Sequence, residues 1–85
     1  MTREELYERL RAFLRERRPD LDGKIEPDTQ LWQDGYLDSF GLIEVIALLE
    51  ELTGHPVEVG AEDLPSFFTM EGMFQRFVAQ DSAAR

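Results

Sequence analysis

The fourteen residues Ser39–Leu52 contain seven large aliphatic side chains: Leu42, Ile43, Val45, Ile46, Leu48, Leu49 and Leu52. Leu42, Val45, Ile46, Leu49 and Leu52 recur at helical spacing and share one face. The ends are marked. Asp38-Ser39 is the kind of pair that starts a helix, Gly54 suits the left-handed position after its last turn, and Pro56 blocks continuation. A helix this apolar has to bury its face against other helices, so the chain is expected to be a small helical bundle. It also has more apolar positions than one buried face needs. Phe40, Ile43 and Ala47 fall on another side, beside Glu44 and Glu51, and that side is expected to be an exposed docking surface.

Two further helices are legible. Thr2-Arg3-Glu4-Glu5 fits a capping box, and Leu6, Leu10, Phe13 and Leu14 follow on one face, predicting a helix over 3–17 stopped by Pro19. Thr69 reads as the N-cap of a last helix carrying Met70, Met73, Phe74, Phe77 and Val78 as a core stripe. Gly72 weakens that helix by about 1 kcal/mol relative to alanine, so packing must hold it. Between them, Ala61–Leu64 reads as one helical turn ended by Pro65, and Val57-Glu58-Val59 as an extended connector. Residues 20–38 form a long connection. Its apolar residues Leu21, Ile25, Leu31, Trp32, Tyr36 and Leu37 are expected to pin it to the helices, with Trp32 an anchor rather than a ligand platform. Residues 81–85 are expected to fray.

The totals narrow the function. Eighty-five residues make one domain, 1–85 with an ordered core of about 3–80, and a chain so short buries only about 60% of its unfolded surface. That leaves little room for a deep catalytic cavity. There is no cysteine, which excludes a disulfide framework, a thiolate metal site and a cysteine nucleophile. The charged start lacks an apolar signal core, and the longest apolar run, Val45 to Leu49, is far too short to cross a bilayer. A cytoplasmic protein is expected. Residues 1–18 hold six bases against four acids, a net +2, while residues 19–85 hold three bases against fourteen acids, a net −11. Such a surface repels nucleic acid and anionic membranes and attracts basic protein surfaces.

Chemistry-bearing patterns are few. His55 is the one histidine, so no transition-metal set can be assembled. No phosphate loop or calcium-loop pattern is present; Asp20-Leu21-Asp22-Gly23 lacks the spacing and the closing Glu. Ser39 and His55 could be written into a hydrolase triad, but no nucleophile elbow surrounds them. Ser39 is left as the one candidate. Taken alone, it is a capping residue. In context it sits where a long connection meets the N-terminus of the strongest helix, an end that favours a bound or covalent phosphate.

Gly35-Tyr36-Leu37-Asp38-Ser39-Phe40, with the lead-in Pro27-Asp28-Thr29-Gln30-Leu31-Trp32 and with Glu44-Val45 and Leu49-Glu50-Glu51 behind it, resembles the acyl carrier protein family over almost the whole chain. The resemblance implies a four-helix bundle with a long loop between its first two helices and a short third helix. It implies a non-catalytic monomer that holds an acyl or aminoacyl group as a thioester on 4′-phosphopantetheine. That group would be attached to Ser39 from coenzyme A by a phosphopantetheinyl transferase, with Asp38 in support. Leu37, Phe40, Ile43, Glu44, Ala47, Glu51, Glu62 and Asp63 would meet partner enzymes: the transferase, an adenylating or acyl-transferring enzyme, and downstream tailoring or condensing enzymes. The two residues between Gly35 and Asp38 are more like D-alanyl and similar stand-alone aminoacyl carriers, and Gly41 departs from the acid that fatty-acid carriers often have there, so a specialised stand-alone aminoacyl or peptidyl carrier is expected. Fatty-acyl or polyketide cargo is the alternative. The other reading of the same residues is an acidic helical interaction module without a prosthetic group.

Overall fold

The computed structural model describes residues 1–21 and 23–79. Among them every regular element is a helix. Helix α1 spans Arg3–Arg17 and α2 Ser39–Thr53; a 3₁₀ helix spans Ala61–Phe67; and α3, Met70–Met73, runs on as a π-helical segment, Phe74–Ala79. The fold is all-α. No helix among the described residues is long and apolar enough to cross a membrane. The tail expected to fray, and Asp22, lie outside the described residues.

Local rules set most boundaries. Thr2 Oγ1 accepts from Glu5 N–H at 3.1 Å while Glu5 Oε1 accepts from Thr2 N–H at 2.8 Å, the reciprocal pair that starts α1. Gly54 ends α2 at φ 81°, and its N–H bonds to Glu50 C=O at 2.9 Å. Thr69 Oγ1 starts α3 by accepting from Gly72 N–H at 2.9 Å.

The core joins Leu6, Leu10 and Leu14 of α1 to Val45 and Leu49 of α2 and to Phe67, Met70, Met73, Phe77 and Val78. The connection adds Ile25, Leu31, Tyr36 and Leu37. Its backbone is tied to the far end of the chain, with Leu31 N–H donating to Phe68 C=O at 2.8 Å and Glu71 N–H to Pro27 C=O at 3.0 Å. Trp32 Nε1–H donates to Phe67 C=O at 3.2 Å, the anchor its aromatic body suggested.

Arginines of α1 complete the fastening. Arg11 donates to Ile25 C=O at 2.8 Å, Arg18, just past the helix end, to Gly35 C=O at 2.8 Å, and Arg15 more loosely to Gly23 C=O at 3.5 Å. Much of the basic charge of the first eighteen residues is therefore directed at the connection.

Three expectations change. Pro65 does not end the short helix, which continues to Phe67. A 3₁₀ turn uses a φ close to the one proline enforces, so the ring fits inside it. The last helix widens to π geometry from Phe74, turning less per residue, and the adjacent Phe77 and Val78 are both buried. Tyr7, absent from the expected α1 face, is buried with its hydroxyl donating to Glu71 Oε1 at 2.5 Å.

Candidate functional site

The start of α2 is the chemical centre of interest. Asp38 is its N-cap, in extended backbone, and Asp38 Oδ1 accepts from Gly41 N–H at 2.8 Å. Ser39 therefore stands at the first helical position, not at the cap. Its side chain is exposed and makes no hydrogen bond to any described residue. The bland account of Ser39, that a helix has to start on it, does not hold, because the neighbouring carboxylate does that work.

Asp38 is held as an anion. The Gly41 N–H and, after it, the Arg17 guanidinium keep its carboxyl below the usual 3.8. Arg17, in the last turn of α1, reaches over this turn. Its Nη2 lies 2.7 Å from Asp38 Oδ1, and its Nη1 pairs with Glu44 Oε1. Gly41 is the floor beneath it. A Cβ at Gly41 would fall 2.9 Å from both Arg17 Nε and Leu37 Cδ1, so any larger residue would push the guanidinium aside.

Down the outer side of α2, Phe40, Ile43, Glu44, Ala47 and Glu51 follow at helical spacing and all are exposed. Phe40 is 77% and Ile43 66% exposed, unusual for large apolar side chains in so small a fold. Ser39 thus opens onto an apolar stripe edged with acids.

Two residues assigned to partner contact are elsewhere. Leu37 is only 3% exposed, because the turn that delivers Ser39 folds inward, its N–H and that of Tyr36 both donating to Leu31 C=O. Asp63 is 7% exposed and engaged internally, accepting from Gly60 N–H at 3.0 Å and pairing with Arg76 Nε at 2.8 Å. Glu62 stays exposed on the 3₁₀ helix. His55, just past the far end of α2, is roughly 20 Å from Ser39 at 1.5 Å per residue, too far to form a hydroxyl–imidazole couple. The sequence reading missed Arg17 and the role of Gly41. The available signal was a glycine in the first turn of an otherwise strongly apolar helix.

The chain was compared with family models, with curated proteins and with solved structures, and none of the three gives a match.

Proposed function

We propose that this chain is a carrier protein of the acyl carrier type, bearing 4′-phosphopantetheine on Ser39 and presenting its cargo to separate enzymes. One observation carries the reading: Ser39 has an exposed hydroxyl with no structural duty, at a helix start whose cap is supplied by Asp38. A phosphodiester fits there. The positive end of the α2 dipole lies beneath it, and the charge of the adjacent Asp38 carboxylate is partly offset by Arg17.

Attachment joins Ser39 Oγ to the phosphorus of coenzyme A that bears the pantetheine. The bond to the adenosine bisphosphate breaks, and the hydroxyl proton passes to the transferase. Once attached, the arm would supply a thiol able to hold an acyl or aminoacyl group as a thioester. The protein's own part is physical. Asp38 and the bonds inside the 31–37 turn fix where the arm leaves the surface. Phe40, Ile43 and Ala47 offer apolar contact, and Glu44 and Glu51 attract basic partner surfaces. The tether raises the local concentration of cargo at each partner. The spacing Gly35-Tyr36-Leu37-Asp38-Ser39 and the glycine at position 41 favour aminoacyl or peptidyl cargo. An acidic docking module without the arm would share the stripe but has no use for an idle hydroxyl.

Incubation with coenzyme A, magnesium and a broad-specificity phosphopantetheinyl transferase should add the mass of one arm to the wild type and none to Ser39→Ala. An unchanged wild-type mass, with the transferase active on a control carrier, ends the carrier reading.

A further inference from the structure

The acids nearest Ser39 are not waiting for a cation; they already have one. Asp38 and Glu44 keep their outer surfaces open, with side chains 66% and 54% exposed, while the guanidinium joining them is 20% exposed. A planar fork bridging two carboxylates is the geometry in which arginine outperforms lysine. It is also the contact that a basic partner would make with this edge of the stripe. The guanidinium lies over Gly41, where the absence of a side chain leaves it room.

We infer that Arg17 is an internal competitor for the partner's cation: a basic protein surface that takes up Asp38 Oδ1 and Glu44 Oε1 does so by displacing the Arg17 fork. Identifying the first such partner as a transferase rests on the proposed function. The competition itself does not. Two consequences follow from the geometry. Weakly basic surfaces dock poorly, because one guanidinium already offsets part of the charge of the two carboxylates. Arginine-bearing surfaces are favoured over lysine-bearing ones, because only a fork can replace a fork.

Arg17→Met keeps an unbranched apolar stem over Gly41 and removes the fork. Arg9→Met makes the same charge change on α1 at a residue with no hydrogen bond or ion pair to any described residue, and serves as the control. With the transferase, Arg17→Met should lower KM by roughly two- to fivefold with kcat unchanged, the range for releasing one surface ion-pair contact. Arg9→Met should stay near wild type. A KM for Arg17→Met that is unchanged or raised overturns the inference. The second measurement needs no arm. Binding of a fluorescent oligoarginine peptide to the unmodified protein should tighten in Arg17→Met by more than in Arg9→Met, and equal tightening overturns the inference. If the wild type never gains an arm while the peptide distinguishes the two variants, the carrier reading falls and the competition stands.

Discussion

The starts of α2 and α3 are built to one pattern and put to different ends. In each, an oxygen at the N-cap accepts from the N–H of a glycine three residues on: Asp38 from Gly41 at 2.8 Å, Thr69 from Gly72 at 2.9 Å. What crowds the glycine differs. A Cβ on Gly41 would meet side-chain tips rather than backbone: that of Arg17, which can swing out, and that of the buried Leu37, which can give only slightly. A Cβ on Gly72 would come 2.7 Å from the backbone oxygen of Ser66, which cannot move without shifting the 3₁₀ helix. The α3 start is a fixed joint inside the fold. The α2 start is capped as well but closed by side chains, with the movable Arg17 outermost, and it carries the idle hydroxyl. A chemical site can share the local design of a structural one; its accessibility depends on whether backbone or side chain closes over it.

The strongest way to break the comparison is Gly72→Ala. Helix propensity alone says it stabilises by about 1 kcal/mol. The contact with Ser66 reverses the sign, and chemical denaturation should show a loss of about 2 kcal/mol. Next is Thr69→Ala, expected to cost about 1 kcal/mol through the lost cap while arm addition at Ser39 proceeds at the wild-type rate. Gly41→Ala should cost less than Gly72→Ala, under about 1 kcal/mol net, because the alanine gains propensity and Arg17 can swing away. Ser39→Ala should leave stability within about 0.5 kcal/mol of wild type, although it removes the proposed attachment point entirely. The smallest effect is on acidification. The folded protein holds the Asp38 carboxyl below 3.8, so its contribution is present above that value and is lost as pH falls through the lower folded one. The Thr69 cap has no proton to gain. In an NMR titration the Gly41 amide should therefore report the protonation of Asp38, its own hydrogen-bond acceptor.

Much of this was legible in the sequence, wherever a few neighbouring residues decide the outcome. The capping box at Thr2, the Gly54 terminus and the Thr69 cap are local devices, and they stand where the pattern puts them. The choice between Asp38 and Ser39 was not legible. Both residues can cap, and the extended backbone at Asp38, delivered by the inward turn of Tyr36 and Leu37, decides it. The same turn hides Leu37, which looks like a surface residue beside the motif. Tyr7 was missed because its polar tip disguises a buried ring whose hydroxyl is satisfied by Glu71, sixty-four residues away. Asp63 reads as surface charge until its partners at Gly60 and Arg76 are seen. The Tyr7 and Asp63 misses turn on contacts that cross between elements, and the other two on the backbone of the 31–37 turn. At the candidate site the chain signals the hydroxyl and the stripe, while the Arg17 bridge spans twenty-seven residues to Glu44 and belongs to the fold.

The arginines at the end of α1 fall into two kinds by what they hold. Arg11, Arg15 and Arg18 reach neutral backbone carbonyls of the connection, Arg18 pairing with Asp20 as well, whereas Arg17 bonds only to two exposed carboxylates among the described residues. Dissolved salt distinguishes them. Mobile ions screen the attraction between surface charges and leave a bond to a carbonyl largely untouched. Rising ionic strength therefore loosens the cover over the start of α2 while the framework that positions Ser39 stays in place. The same ions would weaken the pull of a basic partner, so the docking proposed here would have an ionic strength at which it is fastest.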